Sequence, residues 1–310
     1  MKEPYDQRFH LEEIATIAML AALDGLILLS PHRGEATVFF LINIVIAAVI
    51  IATRYAGGYV ESKSFILYRD FSVLLFLIII YMEHYTLIPL INPHDVDSLL
   101  FALDRFIFAG HDPTIMLERV TYPVFTEILQ IIYISFYFLP LTLCVFLYLK
   151  GCKPKFHIAA STLLIGFYVS YVGYYLAPAL GPRYFITDLQ NFPLEGVFIY
   201  QFLRDILDAA AGMTRDCYPS GHALISVLTV FLAWKYLKSF MMTALVWTLL
   251  LLISAIYLRY HYVVDVIAGM LLAVAVYGLV PAVGRYVEGT DFVTQRGLHK
   301  KVPRINGGTG

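Results

Sequence analysis

Apolar residues fall in long blocks along this chain, separated by short polar breaks. A membrane-spanning helix needs ~20 largely apolar residues. Eight blocks reach about that length, at roughly 12–30, 36–54, 71–91, 125–149, 157–178, 221–238, 239–258 and 262–284. Only Lys235, Lys238 and Ser239 mark the break between the sixth and seventh, which predicts a tight antiparallel hairpin. The expected fold is all-α, a polytopic membrane helix bundle of about eight spans. Residues 1–124 hold the N-terminal spans and an interfacial segment, 125–284 a membrane core, and 285–310 a polar tail expected to be disordered. No internal repeat or low-complexity segment stands out.

Two segments between spans have a mixed pattern. Residues 194–211 are apolar except for Gln201, Arg204, Asp205 and Asp208, whose i, i+3, i+4, i+7 spacing makes one polar stripe on a helix. Residues 97–109 look similar, with Asp97, Asp104 and Arg105 as the polar points. Helices of this kind lie along a membrane surface. They either only link spans or wall an entrance for a lipid head group.

Composition agrees with the block pattern. Of 310 residues, 59% are hydrophobic and 15% charged, and the mean hydropathy is +0.72. Soluble domains carry about 45–50% apolar and about 25% charged residues. A net charge of −1 gives no footing for nucleic acid. Cys144, Cys152 and Cys217 lack CxxC spacing, which argues against a zinc cluster or a disulfide framework. Residues 1–13 lack the basic start, short apolar core and cleavage site of a secretory signal, so the first span is expected to be retained.

An even number of spans puts both termini on one face. Fifteen of the 22 Lys and Arg residues, including all nine Lys, fall on that face. The positive-inside rule makes it cytoplasmic. The opposite, periplasmic or lumenal face then carries three polar fragments: Cys217-Tyr218-Pro219-Ser220-Gly221-His222, Arg259-Tyr260-His261-Tyr262-Val263-Val264-Asp265, and Gly181-Pro182-Arg183-Tyr184.

These fragments hold the candidate chemistry. Pro219 blocks backward extension of a helix and Ser220 is a good N-cap, so the sixth span begins near His222. Gly221 permits close backbone approach. A helix N-terminus offers unpaired N–H groups that suit phosphate. His261 and Asp265 are four apart, on one helical face, where a carboxylate fixes one imidazole nitrogen and frees the other to attack. Arg183 and Arg259 add cations with forked donors. The combination describes phosphoryl transfer without a metal. His261 attacks phosphorus, and Asp265 orients it. Arg183, Arg259, Ser220 and the Gly221–His222 amides hold the anionic oxygens, while His222 protonates the leaving oxygen.

With these residues in place, the chain resembles the type 2 phosphatidic acid phosphatase superfamily, which includes vanadium haloperoxidases. The family pattern is K-x6-R-P, then P-S-G-H, then S-R-x5-H-x3-D. Pro219-Ser220-Gly221-His222 completes the second signature, and His261 with Asp265 keeps the H-x3-D of the third. The resemblance covers roughly 125–284 and makes that core the catalytic part. It implies His222 as the acid, His261 as the nucleophile and Asp265 as its partner. Two departures stand out. Arg183 follows Pro182 instead of preceding a proline, with Leu176 where the lysine belongs, and Ala255 replaces the arginine of the third signature. The His261-Tyr262-x-x-Asp265-Val266 spelling is similar to the sphingomyelin synthase and inositol phosphorylceramide synthase branch, whose members move a phospho-headgroup between lipids.

The expected function is an integral-membrane phosphatase acting on phospholipid-type esters through a phosphohistidine, with a membrane lipid substrate in the bilayer and no cofactor. The alternative is a lipid phosphotransferase that hands a phospho-headgroup, such as inositol phosphate, to a lipid acceptor. An anion transporter binding at broken-helix N-termini fits less well, since the polar groups sit at one face and not at the midplane. Metal hydrolysis with His222, His261 and Asp265 as ligands meets two arginines that would repel a cation. Plainer roles exist for single residues. Asp265 caps a helix, Arg183 and Arg259 anchor at the interface, Arg215 and Asp216 pair with each other, and Cys217 is a small spacer. Asp24, Glu83 and His84, charged or ionisable within spans, are read as structural. The sequence leaves the oligomeric state open.

Overall fold

The computed structural model describes the backbone of residues 9–57, 59–60, 62–211 and 215–288, and the side chains of these except 210, 211 and 284–288. Most of the predicted tail therefore lies outside the described residues. Thirteen α-helices follow one another among the described residues: α1 (Leu11–Leu29), α2 (Thr37–Ala56), α3 (Lys63–Ile91), α4 (Asp97–Ile107), α5 (Pro113–Met116), α6 (Pro123–Ile134), α7 (Phe138–Leu149), α8 (Lys153–Leu176), α9 (Pro182–Phe185), α10 (Tyr200–Ala211), α11 (Gly221–Tyr236), α12 (Lys238–Tyr257) and α13 (Val263–Glu288). No strand is formed among them, only an isolated bridge between Ala179 and Asp216.

All eight apolar blocks are helical, and six helical stretches are long and apolar enough to cross a membrane: Thr37–Ala56, Lys63–Ile91, Pro123–Leu149, Lys153–Leu176, Lys238–Tyr257 and Val263–Val283. The other two differ for distinct reasons. α1 has the length but carries Glu12, Glu13 and Asp24. α11 is apolar but has only 16 residues, about 24 Å at the helical rise. α11 and α12 meet at Leu237, which ends one and begins the other, as the hairpin reading required.

The fourth block is not one straight helix. A 3₁₀ turn at Ser135–Tyr137 separates α6 from α7. Pro140 explains it: a proline four residues on cannot donate to the Phe136 carbonyl and its ring crowds that group. The Ser135 hydroxyl turns back to the Ile132 carbonyl at 2.7 Å and receives the Trp247 indole N–H at 2.7 Å, so the turn is tied to α12.

One core packs α7, α8, α11, α12 and α13 around Leu143, Leu147, Phe156, Leu224, Leu228 and Leu251. A second packs α1, α2 and α3 against the tyrosine-rich face of α8. Charged contacts gather at one end of the bundle. His157 meets Glu12 at 2.6 Å, Lys153 meets Asp70 at 3.2 Å, and Arg54 meets Glu13 at 3.8 Å. The three polar fragments lie at the opposite end.

α4 and α10 cover that opposite end, and both are more than connectors. Asp97 and Asp104 of α4 are fully buried, whereas Leu99, Leu103 and Phe106 are exposed. The helix thus turns its two aspartates inward and leaves Arg105 and much of its apolar side outward. Asp97 accepts from the Leu180 and Gly181 amides at 2.8 Å each, and from the Tyr262 hydroxyl at 3.0 Å. Asp104 accepts from the Val263 and Val264 amides at 2.8 and 2.9 Å. These are the orphan donors at the start of α13. Glu127 of α6 plays the same part for α10, taking the Val197, Phe198, Ile199 and Tyr200 amides. α10 therefore starts at Tyr200, inside the 194–211 segment, and carries all four residues of the stripe.

Candidate active site

The histidines meet. His222 stands in the first turn of α11 and His261 just before α13, and their Nδ1 and Nε2 atoms are 3.3 Å apart. Asp265 lies behind His261, with both carboxylate oxygens 3.3 Å from its Nδ1. Asp265 is fully buried. One of its oxygens also accepts from the Tyr262 amide at 3.0 Å and from the Cys217 thiol at 2.8 Å. A proton on His261 Nδ1 satisfies the carboxylate and leaves Nε2 with a free lone pair. His222 then donates its Nδ1 proton to that lone pair.

The backbone brings these groups together by close packing. Ser220 caps α11, its hydroxyl accepting from the Ala223 amide at 3.3 Å. The Ser220 amide donates to the Asp265 carbonyl at 3.2 Å, tying the start of α11 to the first turn of α13. A side chain at Gly221 would come within 2.6 Å of the Tyr174 hydroxyl, so this glycine serves packing against α8. Gly181 has φ +89°, and a Cβ there would lie 2.6 Å from the Tyr260 carbonyl. That close approach sets the loop before α9 against the one carrying His261.

Electrostatics sort the groups. Burial pushes the His261 imidazolium toward losing its proton, but the charge and hydrogen bond of Asp265 outweigh it, and His261 holds its proton more tightly than an exposed histidine. Burial, then the neighbouring Asp265, push the Cys217 thiol well above its ordinary range. Cys217 is a hydrogen-bond donor to Asp265 here, and a poor nucleophile.

Both arginines turn elsewhere. Arg183 pairs with Asp208 of α10 and sits 5.1 Å over the Tyr260 ring. Arg259 meets Glu118 at 2.9 Å, the Gln190 side chain at 2.8 Å and the Phe192 carbonyl at 2.9 Å. With Gln190, Tyr200, Arg204 and Tyr260 they line a cavity of about 110 Å³. Neither histidine lines it. Arg259 has φ +64° just past the end of α12, a position that favours glycine. Its three side-chain partners hold it there.

A family model described as the PAP2 superfamily matches residues 98–279. The chain belongs to the PAP2 superfamily. A PA-phosphatase related-family protein from Dictyostelium discoideum is 34% identical over 96 residues, covering 30% of this chain and 17% of that protein. The chain therefore aligns with only a small part of that relative. No solved structure matches. PAP2 membership and the six apolar helical stretches make this an integral membrane protein.

The departures from the PAP2 signatures have structural reasons. Ala255 is buried in α12, and its carbonyl receives the Tyr260 and His261 amides at 3.0 Å each. It packs with Ala223 and Val266, a place too tight for an arginine. Leu176 is exposed at the end of α8. Arg215 and Asp216 do not pair with each other. Arg215 meets Asp95 at 2.5 Å, and Asp216 receives the Tyr81 hydroxyl at 2.7 Å. Asp24 accepts from Asn43 at 2.9 Å and His84 meets Tyr175 at 3.0 Å, contacts that knit the N-terminal helices together and to α8.

Among the described residues, two groups bring three possible metal-ligating atoms within 4.8 Å of one another. One is Cys217, His261 and Asp265, in place of the His222, His261 and Asp265 set considered from sequence. The other, His10, Glu12 and His157, lies at the far end of the bundle.

Sequence reasoning missed Tyr133. Its hydroxyl is 3.4 Å from both His222 Nδ1 and His261 Nε2. Its ring stacks on His222 at 4.4 Å and on Tyr260 at 4.3 Å. A signal existed. Thr126, Glu127, Gln130 and Tyr133 form a buried polar face on the apolar span that contains α6.

Proposed function

We propose that this protein is a membrane phosphatase of phospholipid-type phosphate esters, working through a phosphohistidine. The observation that carries this reading is the 3.3 Å approach of His222 to His261 with Asp265 directly behind. His261 Nε2 attacks phosphorus, the ester bond breaks, and the leaving oxygen takes a proton from the His222 imidazolium, which leaves His222 neutral and able to take a proton from water. Asp265 steadies the imidazolium that forms. Water activated by His222 then releases phosphate from His261. Ser220 and the free amides at the start of α11 lie beside the reacting atoms, and the Arg183–Arg259 cavity, beyond Tyr260, takes anionic parts of the head group. The scheme needs no metal. The site faces the periplasm or lumen, with both termini in the cytoplasm.

A second reading is favoured by burial. His261 is 3% exposed under the stacked Tyr133 and Tyr260 rings, which restricts water and suits a lipid hydroxyl as acceptor. That makes the enzyme a phosphotransferase like the inositol phosphorylceramide synthase branch. Purified protein with labelled phospholipids, with and without inositol, ceramide or diacylglycerol, separates the two: free phosphate marks the phosphatase and a new labelled lipid the transferase. Orthovanadate should inhibit and EDTA should not. His261→Ala should lose all turnover with its melting temperature unchanged. Full turnover in that variant, or loss in EDTA restored by zinc, would sink the phosphohistidine account.

A further inference from the structure

We propose that the Tyr133 hydroxyl is a third catalytic group, donating a hydrogen bond to a non-bridging oxygen of the transferring phosphoryl group. This inference rests on the phosphoryl-transfer reading above. Three observations carry it. The hydroxyl stands 3.4 Å from each of the two nitrogens between which phosphorus must pass. It therefore borders the space that a non-bridging oxygen enters when the rings part. The cations are elsewhere, since Arg183 and Arg259 are held by Asp208 and Glu118 in a cavity that neither histidine lines. Charge developing on phosphorus needs nearby donors, and Tyr133 supplies one where the arginines do not.

The third observation is rigidity. The Tyr133 ring is held between His222 and Tyr260, at interplanar angles of 23° and 16°. Tyr260 is pinned in turn by Gln130, one turn earlier on α6, at 3.1 Å. Tyr133 lies two residues before the 3₁₀ turn that Pro140 imposes. The hydroxyl is thus aimed before substrate arrives, which is what makes a donor effective in a transition state.

The step balances without a proton from Tyr133. The His261 Nε2 lone pair forms the N–P bond. The P–O ester bond breaks, its electrons stay on the leaving oxygen, and the His222 imidazolium supplies the proton and becomes neutral. Tyr133 keeps its own proton and lends only the hydrogen bond. A phenylalanine there keeps both ring stacks and deletes only the hydroxyl.

The test uses the full-length protein in nanodiscs with a labelled short-chain phosphatidic acid. Tyr133→Phe should lower kcat about 100-fold, the range for one lost oxyanion donor, with KM little changed. Orthovanadate, which adopts the five-coordinate shape of the transition state, should inhibit this variant more weakly by a similar factor. 3-Fluorotyrosine at position 133, with the same shape and a more acidic hydroxyl, should keep kcat at or above the natural value. Wild-type kcat and vanadate sensitivity in Tyr133→Phe would overturn the proposal. So would a loss of kcat accompanied by a lowered melting temperature and unchanged vanadate affinity, since that marks packing alone. His261→Ala, run alongside, separates the two claims. Full activity there overturns the phosphohistidine reading and this inference with it, whereas an inert His261→Ala beside a fully active Tyr133→Phe overturns this inference only.

Discussion

At the scale of single residues, Asp265 decides how the site responds to pH. In the proposed mechanism His261 attacks only with Nε2 unprotonated, and Asp265 raises its proton affinity against the opposing effect of burial. The kcat/KM of the free enzyme should therefore fall on the acid side with an apparent pKa above the ordinary histidine value of ~6.5. Asp265→Asn removes the charge that opposes burial. The acid limb should then move to lower pH, while the plateau drops by about 100-fold or more as the tautomer is no longer fixed. A pH–rate profile checks this, and an acid limb that stays put or moves upward would contradict it. Cys217 shares the same Asp265 oxygen, at 2.8 Å, so Cys217→Ala should shift the limb slightly upward by freeing the carboxylate for His261. Much of this triad was legible in sequence. The i, i+4 spacing of His261 and Asp265 is local, and Ser220 and Pro219 mark a helix start. Tyr133 was not singled out, because one tyrosine among 23 carries no signal until its neighbours Glu127 and Gln130 are read with it.

At the scale of elements, the candidate site is held by carboxylates reaching across the chain. Asp104 lies 159 residues before Val263, and Asp97 lies 84 before Gly181. Spans are visible in sequence because hydropathy is local; a cap supplied from another helix leaves no local trace. The inward polar face of α4 was visible only as two aspartates and an arginine in an apolar stretch, which reads equally well as a surface helix. Burial reverses the meaning of that stripe. Burial also pushes the Asp104 carboxyl up to about 6, with the Val263 and Val264 amides working against it. Asp104→Ala strands two buried amides at the start of α13 and should cost about 2 kcal/mol or more. Asp104→Asn keeps one acceptor oxygen and should cost about half as much. Because Val263 follows His261 by two residues, kcat should fall with stability in both. Leu103→Ala, on the exposed face of the same helix, should leave stability within about 0.5 kcal/mol and kcat unchanged. Melting curves and turnover in detergent measure all three. Equal effects at Asp104 and Leu103 would show that α4 is only a connector.

At the scale of the whole molecule, the short α11 sets the depth of the site. Lys235 near one end and His222 at the other are separated by about 20 Å of helical rise, within a hydrocarbon core of ~30 Å. If Lys235 sits at the cytoplasmic surface, the histidines lie about 10 Å inside the opposite surface, roofed by α4 and α10 with their apolar sides turned out. A lipid phosphate of the kind proposed as substrate would then reach the site by sinking below its neighbours, beside exposed Phe106 of α4, Phe202 of α10 and Phe198 just before it, which match acyl chains. This arrangement depends on orientation, which labelling in cells decides. Cys152 is partly exposed beside Lys150 and Lys153, while Cys144 and Cys217 are buried, so the natural protein already carries a probe for the lysine-rich end. Ser98 is exposed on α4 at the histidine end. With a membrane-impermeant maleimide, the natural protein should label only after permeabilisation. Ser98→Cys in a Cys152→Ser background should label in intact cells or sealed lumen-out vesicles. The reverse pattern would place the histidines on the cytoplasmic side and make the lysine-rich end external, against the charge rule that set the orientation.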